Sequence, residues 1–120
     1  MKNLSTIRVL LIEDDPMVQE INKQFVEQVE GFKVIGTASN GKDGIDFIKE
    51  EKPDLALVDI YMPSQDGIET IKQIRSEGIR TDVIAITAAS DIETVRYVLQ
   101  VGAKDYIIKP FKFDRMKQAL

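Results

Sequence analysis

Five short apolar runs set the terms for any fold this chain can adopt. They are VLLI (9–12), KVIGTA (33–38), LALVDI (55–60), VIAIT (83–87) and DYIIK (105–109). Near-continuous apolar character over four to six residues suits strands covered on both faces, as in a parallel sheet. Between the runs, apolar residues recur at helical spacing: Val18, Ile21, Phe25, Val29; Ile45, Ile48; Ile68, Ile71, Ile74; and Ile92, Val95, Val98, Leu99. Strands alternating with one-sided helices close into a parallel sheet through right-handed crossovers, which place helices on both faces. The expected fold is therefore α/β: a doubly wound sheet of five parallel strands with five helices, in three layers.

The punctuation agrees with this division. Asp15 followed by Pro16 reads as an N-cap and first helical residue, and SDIE (90–93) reads as a capping box with Ser90 as cap. Gly31, Gly78 and Gly102 stand where three helices should end. No repeat, low-complexity segment or Pro/Gly/Ser linker interrupts residues 1–120, so the expectation is one domain.

Composition removes several kinds of chemistry. Among the 120 residues there is no cysteine, so disulfides, thiolate metal sites and cysteine nucleophiles are excluded. There is no histidine either, which removes the commonest general base and any phosphohistidine on this chain. A net charge of -4 lacks the basic footprint of direct nucleic-acid binding. No apolar run approaches the roughly 20 residues of a membrane span, and MKNLSTIR has no signal-peptide core, so the expectation is a cytoplasmic domain with no membrane partner.

In an open doubly wound sheet, ligands bind beyond the carboxyl ends of the strands. The polar residues at those ends are Glu13-Asp14-Asp15 after the first run, Asp59 in the third, Thr87 in the fourth and Lys109 in the fifth. Three adjacent carboxylates repel one another by roughly 1 to 4 kcal/mol per pair, so something must offset that cost. Asp15 is accounted for as a helix cap, and Asp66-Gly67 reads as a turn. Taken singly, Thr87 reads as an ordinary strand residue, Tyr106 as core and Lys109 as a surface lysine beside a turn; their arrival together at one rim is what points to a site.

That combination, EDD (13–15), LVDIYMPSQDG (57–67), ITAAS (86–90) and DYIIKPF (105–111), resembles the CheY-like receiver domain of two-component response regulators over essentially the whole chain. The flavodoxin-like strand order 2-1-3-4-5 comes with the resemblance. The resemblance implies that Asp59 is the phosphoacceptor for a sensor histidine kinase, with Mg²⁺ held by Asp14, Asp59 and the backbone carbonyl of Tyr61, and by Glu13 through water. It further implies that Lys109, the Thr87 hydroxyl and the Ala88 backbone N–H contact the phosphoryl group. Thr87 and Tyr106 would form a switch, and Lys109-Pro110 would be a cis peptide. The ending KPFKFDRMKQAL resembles the subgroup that regulates citrate and C4-dicarboxylate uptake. From the same resemblance come a homodimer in the phosphorylated state and a C-terminal output domain that would bind DNA through a helix-turn-helix, beyond a short last helix at 113–120. The domain would be a signalling phosphoacceptor and not an enzyme in the usual sense, although it assists its own phosphorylation and dephosphorylation.

Three rivals fit less well. A haloacid-dehalogenase-type hydrolase wants a second acid two residues past its nucleophile, where this chain has Tyr61. A flavin carrier needs a Ser/Thr/Gly-rich first loop to cradle phosphate, and EDDPM would repel one. An unphosphorylated pseudo-receiver serving purely as an interaction module stays open on sequence, but such domains usually lack one of the acid, threonine or lysine positions, and none is missing here. Bulky Tyr61 and inert Ala89, flanking the route of a hydrolytic water in this reading, imply a long-lived phosphoryl-aspartate.

Overall fold

A computed structural model describes residues 6–60, 67–87, 92–108 and 118–120. The apolar runs become strands β1 (Ile7–Ile12), β2 (Phe32–Ala38), β3 (Leu55–Asp59), β4 (Asp82–Thr87) and β5 (Asp105–Ile108). The stretches between them become helices α1 (Pro16–Glu27), α2 (Gly41–Glu51), α3 (Gly67–Ser76) and α4 (Ile92–Val101). All four strand pairings are parallel, in the order β2-β1-β3-β4-β5. Of the expected fifth helix only its last three positions are described; Ala119 and Leu120 pack against the sheet face that α1 covers. Among the described residues, no helix is long and apolar enough to cross a membrane.

The order explains how the layers fill. From β1 the chain steps outward to β2, then reverses past β1 to β3 and continues in one direction to β5. With every crossover right-handed, α1 falls on one face and α2, α3 and α4 on the other. Strand side chains alternate between the two layers. Leu10, Ile12, Ala56, Val58, Val83 and Ala85 meet α2, α3 and α4, while Val9, Leu11, Leu55, Leu57, Ile84 and Ile86 meet α1 and the chain end. Covered on both sides, β3 is buried at every position, which is why its sequence shows no polar alternation.

The helix starts follow local chemistry. Asp15 caps α1, its carboxylate accepting from the N–H groups of Met17 (2.9 Å) and Val18 (3.5 Å), with Pro16 at the first helical position. Asn40 caps α2 in the same manner, accepting from the Asp43 N–H at 2.9 Å. Gly31, Gly78 and Gly102 all take positive φ. Contrary to expectation, α1 closes on Gln28 at φ -76°, before Gly31 is reached, and α2 ends on Lys52 in the left-handed region at φ 51°. The SDIE cap at 90–93 lies outside the described residues, apart from Ile92 and Glu93.

The inward stripe of α1 departs from the expected one. Ile21 is 46% exposed, and Asn22 beside it is buried. The stripe runs through Val18, Asn22, Phe25 and Val26, with Val29 just past the helix end, so a polar residue holds the central position. Its Nδ2 is buried and has no acceptor among the described residues. A buried donor left unpaired costs about 1 to 3 kcal/mol. Asn22→Leu, close in shape, is expected to stabilise the fold by about 1 kcal/mol, seen as a higher urea midpoint at unchanged slope. A lower midpoint would show that the amide is satisfied. Likewise Ile92 and Leu99, expected on the apolar face of α4, are exposed, and Val98 is the buried residue of that helix.

Candidate functional site

The acids meet because two neighbouring strands end level with each other. The parallel register pairs Ile12 with Val58, which puts Glu13 beside Asp59. Both continue the alternation that turns Leu11 and Leu57 toward the α1 layer. The Glu13 N–H extends the β1–β2 ladder by donating to the Ala38 carbonyl at 2.9 Å. Gln19, one turn into α1, donates through Nε2 to the Glu13 carbonyl at 2.5 Å and so ties the helix to the strand end. The result is a cluster in which one carboxylate oxygen from each of Glu13, Asp14 and Asp59 lies within 4.8 Å of the others.

Burial separates the three. Glu13 and Asp59 are each only 2% exposed, and Asp14 is the more accessible member. Burial, together with a side-chain hydrogen bond to Asp59, pushes the Glu13 carboxyl up from 4.5 to about 7. The Asp15 N–H, donating to Glu13 Oε2 at 3.0 Å, opposes this without reversing it. Carboxylates crowded this closely hold a proton between them unless a cation replaces it. Oxygen-only ligands, open to water on the Asp14 side, fit a hard divalent ion such as Mg²⁺.

The remaining site residues divide between described and undescribed positions. Thr87 is fully buried at the end of β4, whose register pairs Asp59 with Ile86 and so sets Thr87 one step beyond Asp59 on the next strand. Tyr106 is half-buried on β5 opposite Ala85, packed against the α2–α4 layer, and its N–H donates to its neighbour Asp105 at 2.7 Å. Thr87 pairs with Ile108, the residue before Lys109. Lys109, Pro110 and their peptide bond, Tyr61 and its carbonyl, Ala88 and Ala89 lie outside the described residues.

One residue of consequence was read only as part of a turn. Gly67 opens α3 directly against the end of β3, its N–H donating to the Ile60 carbonyl at 3.3 Å. A Cβ at this position would overlap the Asp59 carbonyl oxygen and the Ile60 Cα, both backbone atoms. The aspartate–glycine pair could have signalled this only if the turn had been folded back onto Asp59.

Fold and site together define an α/β module with a cluster of three carboxylates at the carboxyl edge of its sheet. The chain belongs to the response regulator receiver domain family, which matches residues 9–120. It is 71% identical over 112 residues to the probable C4-dicarboxylate response regulator DctR of Priestia megaterium, a match covering 93% of this chain and 49% of that protein. It is 40% identical over 116 residues to the transcriptional regulatory protein DcuR of Escherichia coli (strain K12), covering 95% and 48%. The chain thus spans about half the length of the curated relatives it matches. Among solved structures, the Francisella response regulator 1452 receiver domain superposes with a TM-score of 0.86 at 30% identity, covering 95% of this chain and 93% of that one. The response regulator domain of Thermotoga maritima CheB gives a TM-score of 0.83 at 29% identity, covering 95% and 90%.

Proposed function

We propose that Asp59 accepts a phosphoryl group from the phosphohistidine of a sensor histidine kinase, and that the domain passes this signal to a DNA-binding output domain in a regulator of C4-dicarboxylate or citrate utilisation. The observation that carries the reading is the meeting of Glu13, Asp14 and Asp59 at the ends of β1 and β3. The names of the relatives DctR and DcuR support the transcriptional role and, for DctR, the dicarboxylate context.

In the transfer, an Asp59 carboxylate oxygen attacks phosphorus, the phosphorus–nitrogen bond breaks, and the imidazole leaves with the electron pair. Charge in the transition state spreads over the equatorial phosphoryl oxygens, so the protein's task is to place cations and donors around them. Glu13, Asp14, Asp59 and the Tyr61 carbonyl would hold Mg²⁺, which when bound supplies charge neutralisation to the transferring group. Lys109 supplies a second positive charge, and the Thr87 hydroxyl and Ala88 N–H supply donors. Burial of Asp59 keeps its carboxylate desolvated and fixed at the strand end.

The output follows from the neighbouring strand. Tyr106 faces the same layer as Ala85, the residue two before Thr87, so movement of Thr87 toward the phosphoryl group changes the space beside the ring. A local charge event would thereby bias a two-state surface, including the face used for homodimerisation. The test is incubation with acetyl phosphate and Mg²⁺ followed by intact-mass measurement. A gain of one phosphoryl group that disappears when the ion is chelated is expected, and an unchanged mass in the presence of Mg²⁺ would overturn the reading.

A further inference from the structure

A single peptide bond joins the acids Glu13 and Asp14, and its carbonyl is held by a side chain from α1. At the end of β1 the Glu13 N–H donates to the Ala38 carbonyl at 2.9 Å, continuing the β1–β2 ladder by one rung. In a parallel ladder the Glu13 carbonyl would next accept from the N–H two residues further along β2, that of Asn40. By then β2 has ended. Asn40 serves α2 instead, its side chain accepting from the Asp43 N–H at 2.9 Å and its carbonyl from the Gly44 N–H at 3.1 Å. Gln19 takes the place of the absent rung. Its Nε2 donates to the Glu13 carbonyl at 2.5 Å and reaches Ser39 Oγ, where the chain turns away from β2, at 3.5 Å.

Three consecutive peptide units are thereby fixed as the chain leaves the sheet. Ala38 holds the one before Glu13, Gln19 the one between Glu13 and Asp14, and the Glu13 carboxylate the one after Asp14, by accepting from the Asp15 N–H at 3.0 Å. Gln19 is itself anchored, since its own N–H donates to the Asp15 carbonyl at 2.9 Å. The two rigid planes on either side of Asp14 set the direction in which its side chain leaves the backbone. That direction decides whether its carboxylate stays within 4.8 Å of those of Glu13 and Asp59. Repulsion from two neighbouring acids favours turning it outward to water, so the backbone has to hold it in place.

We infer that Gln19 is a positioning residue for the cation site: by anchoring the Glu13–Asp14 peptide it keeps the Asp14 carboxylate turned toward Glu13 and Asp59. The inference rests on the Mg²⁺ reading of the cluster given above. Groups that orient metal ligands without touching the ion are worth about 10- to 100-fold in metal affinity.

Calorimetric titration of the full-length natural protein with MgCl2 tests this, beside urea unfolding without the ion. In Gln19→Met, which keeps the length and loses the amide, the dissociation constant for Mg²⁺ should rise about tenfold. Gln19→Glu keeps the shape, loses the donor and adds a negative charge. Charge attraction alone would tighten its binding, whereas loss of the anchor weakens it by about tenfold. Val26→Ala, which opens a cavity at a buried position two turns further along α1, should lower the urea midpoint and leave the Mg²⁺ constant within about twofold. Wild-type affinity in Gln19→Met, tighter binding in Gln19→Glu, or an equal loss in Val26→Ala would overturn the positioning role while leaving the cation site standing. A wild type that binds no Mg²⁺ would defeat the reading of the cluster, and the inference with it. Should Gln19→Met not fold, Gln19→Glu decides between anchor and charge.

Discussion

Gly67→Ala is expected to destabilise the domain by about 3 kcal/mol and to reduce phosphoryl gain at Asp59 with it. The added methyl meets the Asp59 carbonyl oxygen and the Ile60 Cα, both main-chain atoms held by the sheet. A flexible side chain could turn away; a central strand cannot. Ile60 donates its N–H to the Ile86 carbonyl at 3.0 Å, and Asp59 is in register with Ile86. Relief must therefore come from lifting the start of α3 off the strand end, which opens the core beneath Ile71 and Ile74. Overpacking of this kind costs about 1 to 3 kcal/mol, with backbone collisions at the upper end. That is a large share of the 5 to 15 kcal/mol that holds a typical domain together. Urea unfolding measures the first effect and intact mass after acetyl phosphate the second. A variant with wild-type midpoint would mean that α3 can shift freely over β3.

The second large effect is a dependence on pH carried by Glu13. Its folded-state carboxyl titrates at about 7, against 4.5 when unperturbed. Between those values the folded protein holds a proton that the unfolded chain has released. Stability therefore falls as pH rises through that window, by about 3 kcal/mol in all, and is independent of this group below it. Glu13→Gln, which imitates the protonated form, should match wild type near pH 4 and become more stable than wild type at pH 8 in the absence of metal. Millimolar Mg²⁺ should raise wild-type stability more at pH 8 than at pH 5.5, since the ion displaces the proton, and should help the variant less. Parallel stability curves for the two proteins would show that Glu13 is not held protonated.

Much of the fold was legible because its strongest signals are local. Buried strands such as LALVDI announce themselves by unbroken apolar character, and their observed limits fall within two residues of the runs. Asp15-Pro16 and the glycines at 31, 78 and 102 mark turns through backbone chemistry that tertiary packing seldom overrides. What escaped depended on contacts between distant segments. Ile21 and Asn22 can exchange roles because a rotation of one position along α1 leaves the helical period intact, and only the sheet decides which faces inward. Lys52 takes the left-handed cap without a glycine because the Arg8 guanidinium, 44 residues away, donates to its carbonyl at 3.0 Å. Gln19 is an ordinary helix residue until the ends of β1 and β2 are brought beside it.

The candidate site divides along the same line. That Glu13, Asp14 and Asp59 converge follows from strand ends in register, which the alternation of elements foretells. That Glu13 is the buried, proton-holding member and Asp14 the accessible one does not follow from EDD, because the three letters carry no record of which side chain the α1 layer covers. The functional weight of Gly67 was hidden for a related reason: its collision partner is a backbone atom eight residues earlier, invisible to any reading of side-chain chemistry.

The central claim is that the carboxylate of Asp59 is the phosphoryl acceptor, and the most direct measurement locates that group on the chain. Wild type and Asp59→Asn would each be treated with acetyl phosphate and Mg²⁺, reduced with borohydride to trap the acyl phosphate, and fragmented in the mass spectrometer. The account expects the trapped residue at position 59 in wild type and none in the variant. A phosphoryl group mapped to another residue, or retained by Asp59→Asn, would contradict it.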